Sequence, residues 1–280
     1  MMRRYRLFHL KKLLKTIVSV SLLIAFTTLF MGVTKKHKKK VPDLLIQIND
    51  TTFIDKYEIS IRDYAQFLLD NMYRIDSLLP NPNNVNWYDG FWHFYEIYGI
   101  TDTSIQYHVA LWWKPIINIS KKQAEEYCEW RTKNWQNKYE QFSRKNKGNY
   151  YKNIVFRLPD YDEWLLAASC GLDTALYPTG KSKKFRQNSF PICVEYFSQE
   201  EKETGAIIPR GASESWQFGL QNDKGIFNMC GDVAEFIRDK EFVAGGSFRD
   251  SLHACKVSSI NAFNKPNNQT GFRCVAIIKP

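Results

Sequence analysis

The groups in this chain best suited to chemistry are six thiols, at Cys128, Cys170, Cys193, Cys230, Cys255 and Cys274. No C-x-x-C occurs among them, which removes zinc ribbons and thioredoxin-like redox motifs. Six cysteines permit many pairings, and buried free thiols behaving as small apolar side chains are the simplest alternative. Five histidines (His9, His37, His93, His108, His253) show no clustered spacing of the kind that holds a metal on one helix face. His93 and His108 lie among aromatics, where a core or surface role is the plain reading. A nucleophile-elbow motif for Ser-His-Asp catalysis is absent.

Three helices must position whatever chemistry exists, because three segments carry the same start signal. In each, a side-chain oxygen is followed three residues later by a polar partner. Ser60 with Asp63 predicts a helix over Ile61–Tyr73. Ser120 with Gln123 predicts one from Lys121 to about Tyr139, with Ala124, Tyr127, Cys128 and Arg131 on one stripe. Asp160 with Glu163 predicts Tyr161–Ser169, with Gly171 as the stop. Between them the chain is rich in Asn, Pro, Gly and aromatics. Asn81–Gly99 and Ser143–Asn153 read as insertions, and Ala175–Lys224 shows no helical pattern.

Charge divides the chain sharply. Residues 1–40 hold 11 of the 39 Lys and Arg and no Asp or Glu, leaving 28 bases against 29 acids in the rest. The net +10 therefore belongs to the N-terminal segment, and no nucleic-acid partner is expected. Residues 1–15 form a basic flank, residues 16–33 an uncharged apolar stretch, and residues 34–49 a second basic flank and linker ahead of a domain over residues 50–280. As a helix the apolar stretch would span roughly 27 Å, close to a hydrocarbon core of about 30 Å. No A-x-A cleavage site follows it. The expectation is a single-pass transmembrane anchor that carries a periplasmic or extracytoplasmic domain.

Five blocks in order then carry a resemblance. They are Lys56-Tyr57-Glu58-Ile59-Ser60 with Tyr64 and Phe67, and Lys114–Ser120 followed by Ala124, Tyr127, Cys128 and Trp130. Next come Arg157-Leu158-Pro159-Asp160-Tyr161-Asp162-Glu163-Trp164 with Ala167 and Ala168, and then Gly225–Phe236. The last is Ala244-Gly245-Gly246-Ser247-Phe248, closing with Thr270-Gly271-Phe272-Arg273. Over about residues 50–278 the chain resembles the formylglycine-generating-enzyme (sulfatase-modifying factor) family. The resemblance implies an α+β, irregular, C-type-lectin-like fold, low in regular secondary structure. Independently, Leu158-Pro159-Asp160 forces an extended dipeptide before a capped helix, and Arg273 is suited to tie the last strand to a buried carboxylate or carbonyl fork. Trp164 and Phe272 read as core.

For a site, the resemblance implies two cysteines after the Gly-Gly-Ser-aromatic motif, binding a copper ion that activates oxygen to oxidise a substrate cysteine. Here the first position is Asp250 and the second Cys255, while Ser247 matches the family serine beside the reactive site. A carboxylate cannot complete a two-sulfur grip on Cu(I), so copper and formylglycine formation are not expected unless another thiol reaches Cys255. The resemblance also implies Ca²⁺ at Glu235 with Gly231 and Val233, Asp232 standing where Asn is usual; hard oxygens suit Ca²⁺. The alternative is that Glu235 accepts backbone hydrogen bonds or pairs with an arginine. The resulting functional expectation is a membrane-anchored, non-catalytic module for an envelope protein or glycan partner, as in gliding or secretion machinery by analogy. The competing one is an oxidoreductase acting through Cys255 and Ser247.

Overall fold

The structure, a computed structural model, describes residues 39–71, 113–147, 149–171, 177, 192–193, 199, 203 and 219–279. In chain order the regular elements are β1 (Leu45–Gln47), β2 (Thr52–Asp55), α1 (Ile61–Asp70), α2 (Lys121–Lys145), β3 (Ile154–Arg157) and α3 (Tyr161–Ser169). They continue with β4 (Ala234–Phe236), β5 (Phe242–Ala244), a 3₁₀ turn at Leu252–Ala254, β6 (Ile260–Ala262), β7 (Thr270–Gly271) and β8 (Val275–Ile278). Few helices and very short strands make this a mixed α+β fold. The apolar stretch at 16–33, the insertion at 81–99 and most of 175–224 lie outside the described residues. Among the described residues no helix is long and apolar enough to cross a membrane.

All three capping signals form true capping boxes. Ser60, Ser120 and Asp160 each accept from the backbone N–H three residues on, and the partner side chain reaches back to the cap. A good cap stabilises a helix by about 1 kcal/mol. α3 ends at Ser169, with Cys170 already left-handed (φ 50°) ahead of Gly171. α2 runs six residues past the expected Tyr139, to Lys145, and so absorbs the start of the supposed 143–153 insertion. Aromatic packing explains the extension. Trp135 and Phe142 both meet the Tyr150 ring edge-on, and the Tyr139 hydroxyl donates to the Tyr150 carbonyl.

One sheet has the order β1-β2-β8-β3, wholly antiparallel, with Ile54 opposite Val275 and Arg157 opposite Val275 on the other side. β1 thus lies within the stretch read as flank and linker. The second sheet, β6-β5-β4-β7, pairs β4 with β7 in parallel, setting Gly271 opposite Glu235. α2 packs against the first sheet through Tyr127 and Cys128, which join Phe67, Phe156 and Phe272 in the larger core. Trp164 centres a second core with Ile54, Met229 and Val275, and both it and Phe272 are fully buried.

Candidate functional site

The Gly-Gly-Ser-Phe segment leaves β5 on a backbone only glycine accepts comfortably: Gly245 has φ 94° and Gly246 φ 72°. A Cβ on Gly246 would lie 2.7 Å from the Ala254 carbonyl and 3.1 Å from Cys255 Sγ, so the missing side chain is what lets Cys255 close on this turn. Ser247 is buried, and its backbone N–H and its hydroxyl each donate to Asp250 Oδ2 at 2.7 Å. Asp250 N–H returns to the Ser247 carbonyl at 3.0 Å. The Asp250 carboxylate is therefore committed to its own turn, and the serine hydroxyl is spent on it and on Gln269 Oε1 (3.2 Å).

Cys255 is fully buried and its thiol donates to the Ser247 carbonyl at 3.4 Å. A second thiol lies in its neighbourhood: Cys193, also fully buried. The influence of Cys193, then burial, then the neighbouring Asp250 and Cys230, push the Cys255 thiol far above its ordinary range. Burial, with Glu235 nearby, does the same to Cys230. For Cys255 and Cys230 both shifts favour the neutral thiol over the thiolate. Cys193 is the residue sequence reasoning missed. Nothing in its spacing pointed to Cys255; the only signal was that it is one of six cysteines.

The Gly231–Glu235 block turns on left-handed backbone at Asn228, Gly231 and Asp232. Asn228 Nδ2 donates to Asp232 Oδ2 at 3.0 Å, and Phe248 N–H donates to the Asp232 carbonyl at 2.7 Å. The Glu235 carboxylate is buried and taken up by side-chain donors. Arg273 Nε donates to both its oxygens at 2.8 Å, Arg273 Nη2 to Oε1 at 2.6 Å, and Trp164 Nε1 to Oε2 at 2.8 Å. Of the readings for Glu235, the arginine partner is the one found. A Ca²⁺ ion does not fit its carboxylate, because a guanidinium already fills the space a cation would take. Among the described residues no group of three or more His, Cys, Asp and Glu is arranged to hold a metal. Arg273 meets its expectation on both counts, since it also donates to the carbonyls of Asp55 and Phe227.

Apart from the thiols, a groove of about 760 Å³ is lined by Asp55, Lys56, Tyr57, Glu58, Trp113 and Phe227, among others. Tyr57 and Phe227 stack at 5.0 Å, with the Lys56 ammonium 5.4 Å from the Tyr57 ring. Arg131 and Asp55 form a bidentate pair at 2.6 and 2.8 Å on its wall. Such a surface offers stacking, cationic and acidic contacts together.

Fold and site together define a small-sheet α+β domain whose thiol-bearing turn is closed on itself. The chain belongs to the sulfatase-modifying factor enzyme 1-like domain family, whose model matches residues 16–278. It is 26% identical over 177 residues to inactive C-alpha-formylglycine-generating enzyme 2 of Bos taurus, covering 58% of this chain and 50% of that protein. The Mus musculus protein of the same name is 24% identical over the same length, covering 58% and 49%. The chain thus spans about half the length of the curated relatives it matches. Among solved structures it is similar to Treponema denticola variable protein 1 (TM-score 0.47, 15% identity, 86% of this chain and 93% of that one). It is also similar to PvdO from Pseudomonas aeruginosa (TM-score 0.46, 12% identity, 81% and 80%).

Proposed function

We propose that this protein is a membrane-anchored, envelope-located member of the family that does not make formylglycine, and that its domain binds a protein or glycan partner. One observation carries the catalytic half of this reading. Asp250, at the position of the first family cysteine, is folded back onto Ser247 by two 2.7 Å hydrogen bonds, so carboxylate and thiol do not form a shared metal grip. The relatives named as inactive enzymes support the same direction. The anchor rests on the uncharged stretch at residues 16–33, and the groove beside Tyr57 and Phe227 is the surface on which the partner would lie.

The test uses the full chain in detergent, supplied with Cu(I), oxygen and a cysteine-containing peptide. No aldehyde product is expected. Aldehyde formation that disappears in Cys255→Ala would overturn the reading in favour of an oxidoreductase using Cys255 and Ser247, the alternative that the Cys193 thiol keeps in view. For the binding half, capture from envelope extracts is expected to lose its enriched partner on Tyr57→Ala; no enrichment over an anchor-only control would count against it.

A further inference from the structure

The basic side chains of the domain are not evenly spread. Residues 41–280 balance 28 Lys and Arg against 29 Asp and Glu, yet residues 141–153 hold Arg144, Lys145, Lys147 and Lys152 and no acid. All four are exposed, as is Lys40. The fold brings Lys40 to this segment. Its N–H donates to the Asn149 carbonyl at 2.7 Å, its carbonyl accepts from Tyr151 N–H at 2.8 Å, and it bridges Tyr150 in parallel. Lys279 N–H donates to the Asn153 carbonyl at 2.9 Å, which sets a further exposed lysine near Lys152. The Trp135 and Phe142 rings against Tyr150, with the Trp135 indole N–H donating to the Tyr151 carbonyl at 3.1 Å, fix the whole segment to the end of α2. Asp43 and Glu140 are the acids nearest in sequence, and Glu140 is taken up by Arg144 at 3.5 Å. A helix C-terminus attracts bases, which accounts for Arg144 and Lys145 in the last turn of α2 but not for Lys40, Lys147 and Lys152.

We propose that this basic end of the domain, around the C-terminus of α2, lies against anionic phospholipid headgroups. The proposal rests on the reading of residues 16–33 as a membrane anchor and adds to it which part of the domain meets the bilayer. By sequence, Lys40 is the seventh residue after Val33, where the apolar stretch ends. A fully extended chain of that length spans no more than about 25 Å. Residues 35–39 contribute Lys35, Lys36, Lys38 and Lys39 and no acid. The tether therefore keeps Lys40, and the segment it pairs with, within reach of the headgroups. Charge then selects the side that turns to them. Attraction to an anionic surface grows with each lysine or arginine near it and fades within a Debye length of about 10 Å. Lysines clustered on segments held together by backbone hydrogen bonds enter that range as a unit, whereas scattered ones would not. The recognition is by point charge, so the partner is defined by anionic phosphate headgroups rather than by one lipid species.

The full chain is placed in lipid nanodiscs of phosphatidylcholine, alone or mixed with phosphatidylglycerol. Its amines are acetylated briefly with sulfo-N-hydroxysuccinimidyl acetate and read by peptide mass spectrometry. In the anionic discs Lys145, Lys147 and Lys152 are expected to label roughly three- to fivefold more slowly than in neutral discs, and high salt should erase the difference. Lys122, exposed at the start of α2 and about 35 Å from Lys145 along the helix, should label equally in both. Equal rates for the three lysines in both lipids, in a chain that resists alkaline carbonate extraction from vesicles, would overturn the proposal and leave the anchor standing. Release by carbonate would overturn the anchor reading and this proposal with it. Protection that appears in neutral discs only on adding envelope extract would assign the patch to an acidic protein and overturn the lipid assignment. The labelling uses the native sequence, so no variant has to fold.

Discussion

Arg273 and Glu235 face each other in the centre of the domain with side-chain exposures of 0% and 1%, their closest contact 2.6 Å. The parallel pairing of β4 and β7 sets Gly271 opposite Glu235, so Arg273, two residues on, arrives beside the carboxylate. The same guanidinium reaches the carbonyls of Asp55 and Phe227, binding both sheets and the Asn228 turn through one side chain.

Removing either partner leaves an uncompensated charge. Arg273→Met is expected to cost about 3–5 kcal/mol, measured by denaturant unfolding. The double variant Arg273→Met/Glu235→Met should lose clearly less than the sum of the two single variants. Additive losses would show that the pair is not the unit of stability.

Glu58 predicts a pH effect. Its Oε1 is buried without a hydrogen-bond partner among the described residues, 3.7 Å from Arg273 Nη2. Burial raises its carboxyl well above the usual range; Arg273 opposes this, while Asp232 and Glu235 add to it. A raised folded pKa contributes stability that is complete below the unfolded value near 4.5 and is lost as pH rises through the folded value. Glu58→Gln should therefore remove this loss and gain stability relative to wild type above that window. Urea titrations at pH 5 and pH 8 read the difference; equal effects at both would rule the mechanism out.

Thiol reactivity should be strongly uneven. Five of the six cysteines are buried and only Cys170 is partly exposed. Cys128 and Cys274 lie Sγ to Sγ at 3.3 Å, and burial with that contact pushes the Cys128 thiol upward. In fully reduced native protein, a brief iodoacetamide pulse at pH 8 is expected to label Cys170 first, the others only after unfolding. Rapid labelling of Cys255 in the folded state would contradict its burial.

Gly231→Ala should weaken the thiol cluster from a distance. Its φ is 80°, and a Cβ there would stand 2.5 Å from the Ile192 carbonyl. Strain of this kind costs about 1–3 kcal/mol, and the displaced Ile192 would carry Cys193 with it. The expected outcome is a lower Tm together with faster Cys193 alkylation in reduced protein. An unchanged alkylation rate would separate the two segments.

The sequence by itself determined the helix starts, the family and the roles of single residues whose chemistry is local. Ser60, Ser120 and Asp160 could be read because cap and partner stand three residues apart, within one turn of chain. The end of α2 could not, because it depends on aromatic packing against Tyr150 rather than on a stop signal. Strands of two to four residues are too short to show alternation, so β8 between β2 and β3 emerged only in the folded chain. Arg273 was legible as a tie but not its partners, which lie 38 residues away at Glu235 and 218 at Asp55. Tertiary structure alone decided that Glu235 meets an arginine 38 residues further on, and that Trp164 closes on the same carboxylate. Spacing along a chain constrains only what a few bonds can reach; contacts between remote segments are set by how whole sheets and turns dock, and no local pattern encodes that.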